Sequence, residues 1–218
     1  MKNPKRGPQD HVTPLEAAAQ SLKDSELRKA FKNAELAEIA GTTGLFMNTR
    51  SVYYLPRRDG RLETGLGEGL VSRGFAVAGR ETIGGFRDLS FQEQIELVAQ
   101  ELTTGYWHRD AKVVANSFGA YLFLHAQTLL PAYIRKVLLL SPIVGKFSNG
   151  ATLTSFIAPR SDRIMQLARD GQFPSLKCEI HVGEDDWQSN HASVTQLAEL
   201  FGVGITVVPG PAHMLGRD

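Results

Sequence analysis

Two spacings of apolar residues alternate along this chain. Short apolar runs recur at Val52–Leu55, Phe75–Ala78, Val113–Ala115, Val137–Leu140, Cys178–Val182 and Ile205–Val208, bounded by glycine, proline or polar residues. Such runs read as strands. Val137-Leu138-Leu139-Leu140 is apolar at every position, as a parallel strand covered on both faces requires. Between the runs, apolar residues return every three or four positions, the period of a helix. Phe91, Ile95, Val98 and Leu102 form such a stripe, and Ser90 with Glu93 makes a capping box before it. Tyr121–Ala126 is an almost wholly apolar helical segment, Thr64–Ser72 a weak glycine-rich helix, and Arg163–Asp170 a further helix. Near the start, Thr13-Pro14-Leu15-Glu16 supplies a hydroxyl cap, a proline at the first helical position and a glutamate three residues after the cap. Apolar residues follow at Leu15, Ala18, Ala19 and Leu22, then at Leu27, Ala30, Phe31, Ala34 and Ile39, with a break near Asp24-Ser25 and a stop at Gly41.

Strands alternating with helices predict a three-layer α/β fold, a mostly parallel sheet with helices on both faces. The expected organisation is a mobile tail over residues 1–12 and one domain over 13–218. Within it, residues 13–41 form a helical arm and 142–177 a short lid-like segment. Leu45-Phe46-Met47 is the only candidate for an extra early strand. No repeat or linker marks a second domain.

Composition narrows the function. A length of 218 residues suits one domain with a full core. The net charge of +1 gives no broad field for nucleic acid or an anionic membrane. No apolar stretch is long enough to span a bilayer, and the N-terminus lacks the apolar core of a signal peptide. A single cysteine, Cys178, excludes an internal disulfide and fits a reducing, cytoplasmic setting. Its apolar run makes it a buried thiol.

The chemistry is concentrated where the third run ends, at Ala115-Asn116-Ser117-Phe118-Gly119-Ala120. A strand, a tight turn carrying Ser117 and a helix follow one another there. The spacing is that of a nucleophile elbow with Ala115 in place of the first glycine. Such a turn holds the serine strained and exposed and aims the next helix's N–H groups at the same spot. Bulk at Ala115 or Gly119 would clash where helix and strand approach. Asp186 comes later, in the turn Gly183-Glu184-Asp185-Asp186 after one strand, and His213 in Pro209-Gly210-Pro211-Ala212-His213 after the next. Serine, then acid, then histidine, the last two on loops after strands, is an order this chain shares with one large family.

From about Val52 to His213 the sequence resembles a small α/β-hydrolase. The resemblance implies Ser117 as nucleophile, Asp186 as acid and His213 as base, with an ester, thioester or related acyl substrate, an acyl-enzyme, and no metal or organic cofactor. Phe118 N–H would be one oxyanion donor. The second would come from the loop after Val52–Leu55, where relatives often carry His-Gly and this chain carries Pro56-Arg57-Arg58-Asp59-Gly60. Pro56 has no N–H, so Arg57 is the expected donor. Arg58 and Arg61 on the same loop suit a substrate with an anionic portion. The family's helix after the histidine has no counterpart in residues 214–218, so the N-terminal arm is expected to cover that face of the sheet.

Each assignment has a competitor. Asp185 and Glu184 compete with Asp186, which stands three past Gly183 as the family's acid does. His125 reads as a packed core histidine, His181 lies within a strand, and His108 sits on a surface turn. His181, His191, Asp185 and Asp186 show no compact metal spacing. Gly65-Leu66-Gly67-Glu68-Gly69 lacks dinucleotide-loop spacing, and Gly145-Lys146 lacks the earlier glycine of a phosphate loop. The rival function is a chain that keeps this fold without its chemistry and binds a ligand or partner.

Overall fold

Six parallel strands form the centre of the molecule, side by side in the order Ala76–Gly79, Ser51–Leu55, Lys112–Asn116, Tyr133–Leu140, Leu176–Gly183 and Gly204–Val208. The computed structural model describes residues 50–149, 154–156 and 158–210. The sheet strands are β1 (Ser51–Leu55), β2 (Ala76–Gly79), β3 (Lys112–Asn116), β4 (Tyr133–Leu140), β7 (Leu176–Gly183) and β8 (Gly204–Val208). The helices are α1 (Leu66–Ser72), α2 (Gly84–Asp88), α3 (Phe91–Gly105), α4 (Phe118–Gln127), α5 (Arg163–Arg169) and α6 (His191–Phe201). A small antiparallel pair, β5 (Phe147–Asn149) and β6 (Thr154–Phe156), stands apart from the sheet. The expected parallel α/β architecture is thus present. The expected arm, the candidate strand Leu45–Met47 and His213 lie outside the described residues.

Side-chain alternation divides the sheet into two faces. On one, Leu55, Ala115, Leu139 and Ile180 are fully buried against α3, α4 and α6. The capping box of α3 is formed as expected: Ser90 Oγ accepts from Glu93 N–H, and the Glu93 carboxylate accepts from Ser90 N–H. Both bonds hold the Glu93 carboxyl below its usual range. Every residue of α4 from Gly119 to Gln127 is buried, so this helix runs through the core and not along the surface. On the other face, Val52, Tyr54 and Val114 pack under Leu66 and Leu70 of α1.

The lid-like segment holds more structure than its turn residues suggest. The β5–β6 hairpin and α5 both fall within it, and the Phe147 ring meets Trp187 edge-on at 5.4 Å. The α6 helix, absent from the sequence expectation, is capped by Asn190, whose side chain accepts from Ser193 N–H.

Candidate active site

The last residue of β3 is followed at once by the first turn of α4, with no loop between them. Ser117 makes the reversal, at φ 55° and ψ −115°. An L-residue rarely adopts this region, and holding one there costs on the order of 1–3 kcal/mol. Main-chain bonds on both sides enforce it. Ser117 N–H donates to Leu140 O at 2.9 Å, and Ser117 O accepts from Tyr121 N–H at 3.2 Å and Ile143 N–H at 3.5 Å. The turn needs the glycine two residues on. A Cβ at Gly119 would lie 2.2 Å from Leu55 O and 2.5 Å from Pro56 O, both backbone atoms.

The expected exposure of Ser117 is corrected: only 4% of its surface is accessible. The strap Ser141–Val144, whose Ile143 N–H bonds Ser117 O, lies beside it and is itself buried. The strap's origin is also strained, with Ser141 at φ 44° and its N–H bonded to His181 O at 2.7 Å.

Phe118 opens α4, whose first N–H groups have no carbonyl one turn earlier to bond. Its N–H therefore lies beside Ser117 at the helix start. Arg57 lies on the exposed loop after β1. The carbonyl of Arg57 accepts from Gly60 N–H at 2.9 Å and from Thr82 Oγ1 at 2.5 Å. Thr82 Oγ1 also accepts from Gly60 N–H at 2.9 Å. Thr82, buried and 25 residues away, fixes the loop that carries Arg57; no local signal in the sequence points to it. Arg58 and Arg61 are exposed on the same loop.

Asp186 sits on the loop after β7, two strands from Ser117, at the same carboxyl edge of the sheet. It is buried, while Asp185 and Glu184 are exposed. Its Oδ1 accepts from Gln188 N–H at 3.0 Å and Ser189 N–H at 2.9 Å. These bonds hold the carboxyl in one orientation. Ser189 Oγ donates to Ser141 O at 2.6 Å. The strap beside Ser117 and the turn that carries Asp186 are thereby tied together. The sequence signal for Ser189 is its place three residues after Asp186, the reach of an Asp side chain to the backbone that follows it.

His125 is 1% exposed, with its ring against Tyr121 at 4.4 Å and Phe91 at 5.0 Å. Burial, helped by Arg160 and Arg163, pushes its imidazole down to about 3. His181 lies in β7, and His108 is half-buried on the turn before β3. Burial holds the His108 imidazole below its usual range. Cys178 is half-buried, and burial pushes its thiol up to about 12, away from reactive thiolate. Among the described residues no three His, Cys, Asp or Glu side chains are grouped to hold a metal ion. No described helix is long and apolar enough to cross a membrane.

A cavity of about 460 Å³ opens beside the turn that carries Asp186, between α5 and the start of α6. Lys146, Asp162, Gln166, Arg169, Gln188 and Ser193 are among its lining residues, so its wall is polar. Gln188 and Ser189 line it and also bond Asp186, so the cavity backs onto the acid.

No protein-family model matches the chain, and no curated protein matches it in sequence. Solved structures do match. Mouse alpha/beta hydrolase domain-containing protein 10 superposes with a TM-score of 0.57 at 13% identity, over 78% of this chain and 84% of that one. The N-formylmaleamic acid deformylase of Pseudomonas putida gives 0.54 at 13% identity, over 78% and 88%. The monoacylglycerol lipase of Paleococcus ferrophilus gives 0.51 at 15% identity, over 75% and 85%. What this chain shares with all three is the order of its strands and helices.

Proposed function

We propose that this chain, which has the α/β-hydrolase fold, is a serine hydrolase that cleaves an ester, thioester or related acyl bond. One observation carries the reading. Ser117 is held in a strained turn between a strand end and a helix start, and a buried, hydrogen-bonded Asp186 lies two strands away on the same edge. A structural serine gains nothing from such strain; a nucleophile gains position. The fold neighbours named above include a lipase and a deformylase, which agrees with the reading.

In the proposed reaction Ser117 Oγ attacks the acyl carbon while His213 takes its proton. His213 lies outside the described residues, five positions past the end of β8, and β8 is the neighbour of the strand that leads to Asp186. Asp186 holds the imidazole in one tautomer and stabilises its cation. Phe118 N–H and, from the loop after β1, Arg57 N–H receive the developing oxyanion. The tetrahedral adduct collapses, the bond to the leaving group breaks, and His213 returns the proton to that group. Water then repeats the sequence on the acyl-serine and releases the acid. Arg58 and Arg61 bind an anionic part of the substrate. No cofactor enters these steps.

A fluorophosphonate probe tests the reading against a silent fold that only binds. The folded wild-type chain should be labelled and Ser117→Ala should not. An unlabelled wild type with an intact circular-dichroism spectrum would refute the hydrolase. Anionic and neutral acyl donors should differ in KM, and Arg58→Glu should remove the difference.

A further inference from the structure

Aromatic rings gather on one side of Ser117 and cations on the other. Phe118, which follows Ser117, and Phe147, in the hairpin after β4, both pack on the buried cluster of Tyr121, Ile143 and Ala158. The Phe118 ring lies 6.3 Å from that of Tyr121, whose hydroxyl donates to Pro159 O and so fixes the cluster. Trp187, which follows Asp186, meets the other ring of the group, Phe147, edge-on. Aromatic side chains thus lead from the residue after the serine, through Phe147, to the residue after the acid. Phe118, Phe147 and Trp187 are each half-buried, so each keeps an accessible apolar surface. The order of the strands separates these rings from the basic loop. The strand that leads to Ser117, β3, has β4 and then β7 on one side and β1 on the other. Phe147 and Trp187 follow β4 and β7, whereas the exposed Arg58 and Arg61 follow β1.

Sites for small molecules have mostly apolar and aromatic walls, with a few polar groups that fix orientation. Ring surfaces reward hydrocarbon contact. They give a carboxylate no donor to replace the water it loses. We propose, resting on the hydrolase reading, that Phe118, Phe147 and Trp187 receive the acyl group and that this group is uncharged and apolar. The anionic portion met by Arg58 and Arg61 then belongs to the leaving group. Attack by Ser117 breaks the bond between these two ends. The apolar end stays on the serine beside the rings, and the anionic end departs from the β1 side with the proton that His213 returns. Water then releases the apolar acid.

Donors that move the charge from one end to the other test this. The para-nitrophenyl ester of hexanoate should show a kcat/KM about tenfold or more above the mono-para-nitrophenyl ester of glutarate, which ends in a carboxylate. Equal values, or a preference for the glutarate ester, would overturn the proposal. Trp187→Ala should lower the ratio of hexanoate to acetate turnover about tenfold. With the charge in the leaving group, para-hexanoyloxybenzoate should have a lower KM than its methyl ester, and Arg58→Glu should abolish that difference; equal KM values in the wild type would refute the leaving-group assignment. A binding measurement separates this proposal from the hydrolase reading. The chain has two tryptophans, so Trp107→Phe leaves Trp187 as the only one. In a Trp107→Phe, Ser117→Ala protein, hexanamide should change Trp187 fluorescence saturably and acetamide at the same concentration should not. A wild type that labels with fluorophosphonate, but whose Trp187 in this variant ignores hexanamide, would overturn the acyl assignment alone. An unlabelled wild type would refute the hydrolase and leave the fluorescence result as an independent reading of the rings.

Discussion

Lowering the pH from 8 to 5 should cost this protein about 2 kcal/mol through one side chain, His125. The imidazole is sealed between Tyr121 and Phe91, and its Nε2 has no hydrogen-bond partner. Its folded value is about 3, against 6.5 for the free side chain. The sign follows from which state binds the proton first. As pH falls through 6.5 the unfolded chain takes up a proton and the folded chain does not, so unfolding gains ground. The loss accumulates between pH 6.5 and about 3 and is then complete. At 1.36 kcal/mol per pH unit the whole separation amounts to about 5 kcal/mol, of which about 2 kcal/mol has appeared by pH 5. Urea unfolding at pH 8 and pH 5 on the wild type and His125→Leu measures it. Other titrating groups contribute equally to both proteins and cancel in the comparison. The wild type should lose about 2 kcal/mol more than the variant between the two pH values. At pH 8 the variant should be close to neutral, since it loses ring contacts but also removes an unpartnered buried nitrogen. Equal losses in both proteins would refute the reasoning, because His125 would then be protonating in place.

Two further outcomes follow from the elbow. Gly119→Ala should lower unfolding stability by about 3 kcal/mol, because its Cβ meets main-chain oxygens that can only be cleared by moving α4. It should cut kcat by about a hundredfold as Phe118 N–H shifts with the helix; an unchanged melting temperature would count against the packing argument. Ser117→Gly should abolish turnover yet raise stability by about 1 kcal/mol, since relief of strain exceeds the entropy glycine adds to the unfolded chain. A destabilised Ser117→Gly protein would mean the turn is not strained.

Much of the fold was legible because it rests on local rules. Val137–Leu140, apolar at every position, forms a parallel strand between two others, and Ser90 with Glu93 opens a helix. The elbow was legible for the same reason: Ala115 and Gly119 record a steric demand from within a few residues. What was missed came from elsewhere. Ser117 reads as exposed because its burial depends on distant chain such as Ile143, whose N–H bonds Ser117 O from more than twenty residues away. Thr82 gives no sign of bonding Arg57 O, since that contact exists only once β1 and β2 have paired. The α6 helix was recoverable, as Val194, Leu197 and Ala198 are its buried stripe. The short α2 begins on Gly84-Gly85, the poorest helix formers after proline, and is imposed by its surroundings.

The bonds that hold Ser117 join main-chain atoms: its N–H to Leu140 O, and its carbonyl to the N–H groups of Tyr121 and Ile143. Replacing the side chain at 121, 140 or 143 with another that fits leaves those three contacts standing. Mutational drift can therefore reshape the walls of the cleft without disarming its centre. A lineage built on this scaffold can change the side chains around residue 117 in single steps while the turn keeps its geometry.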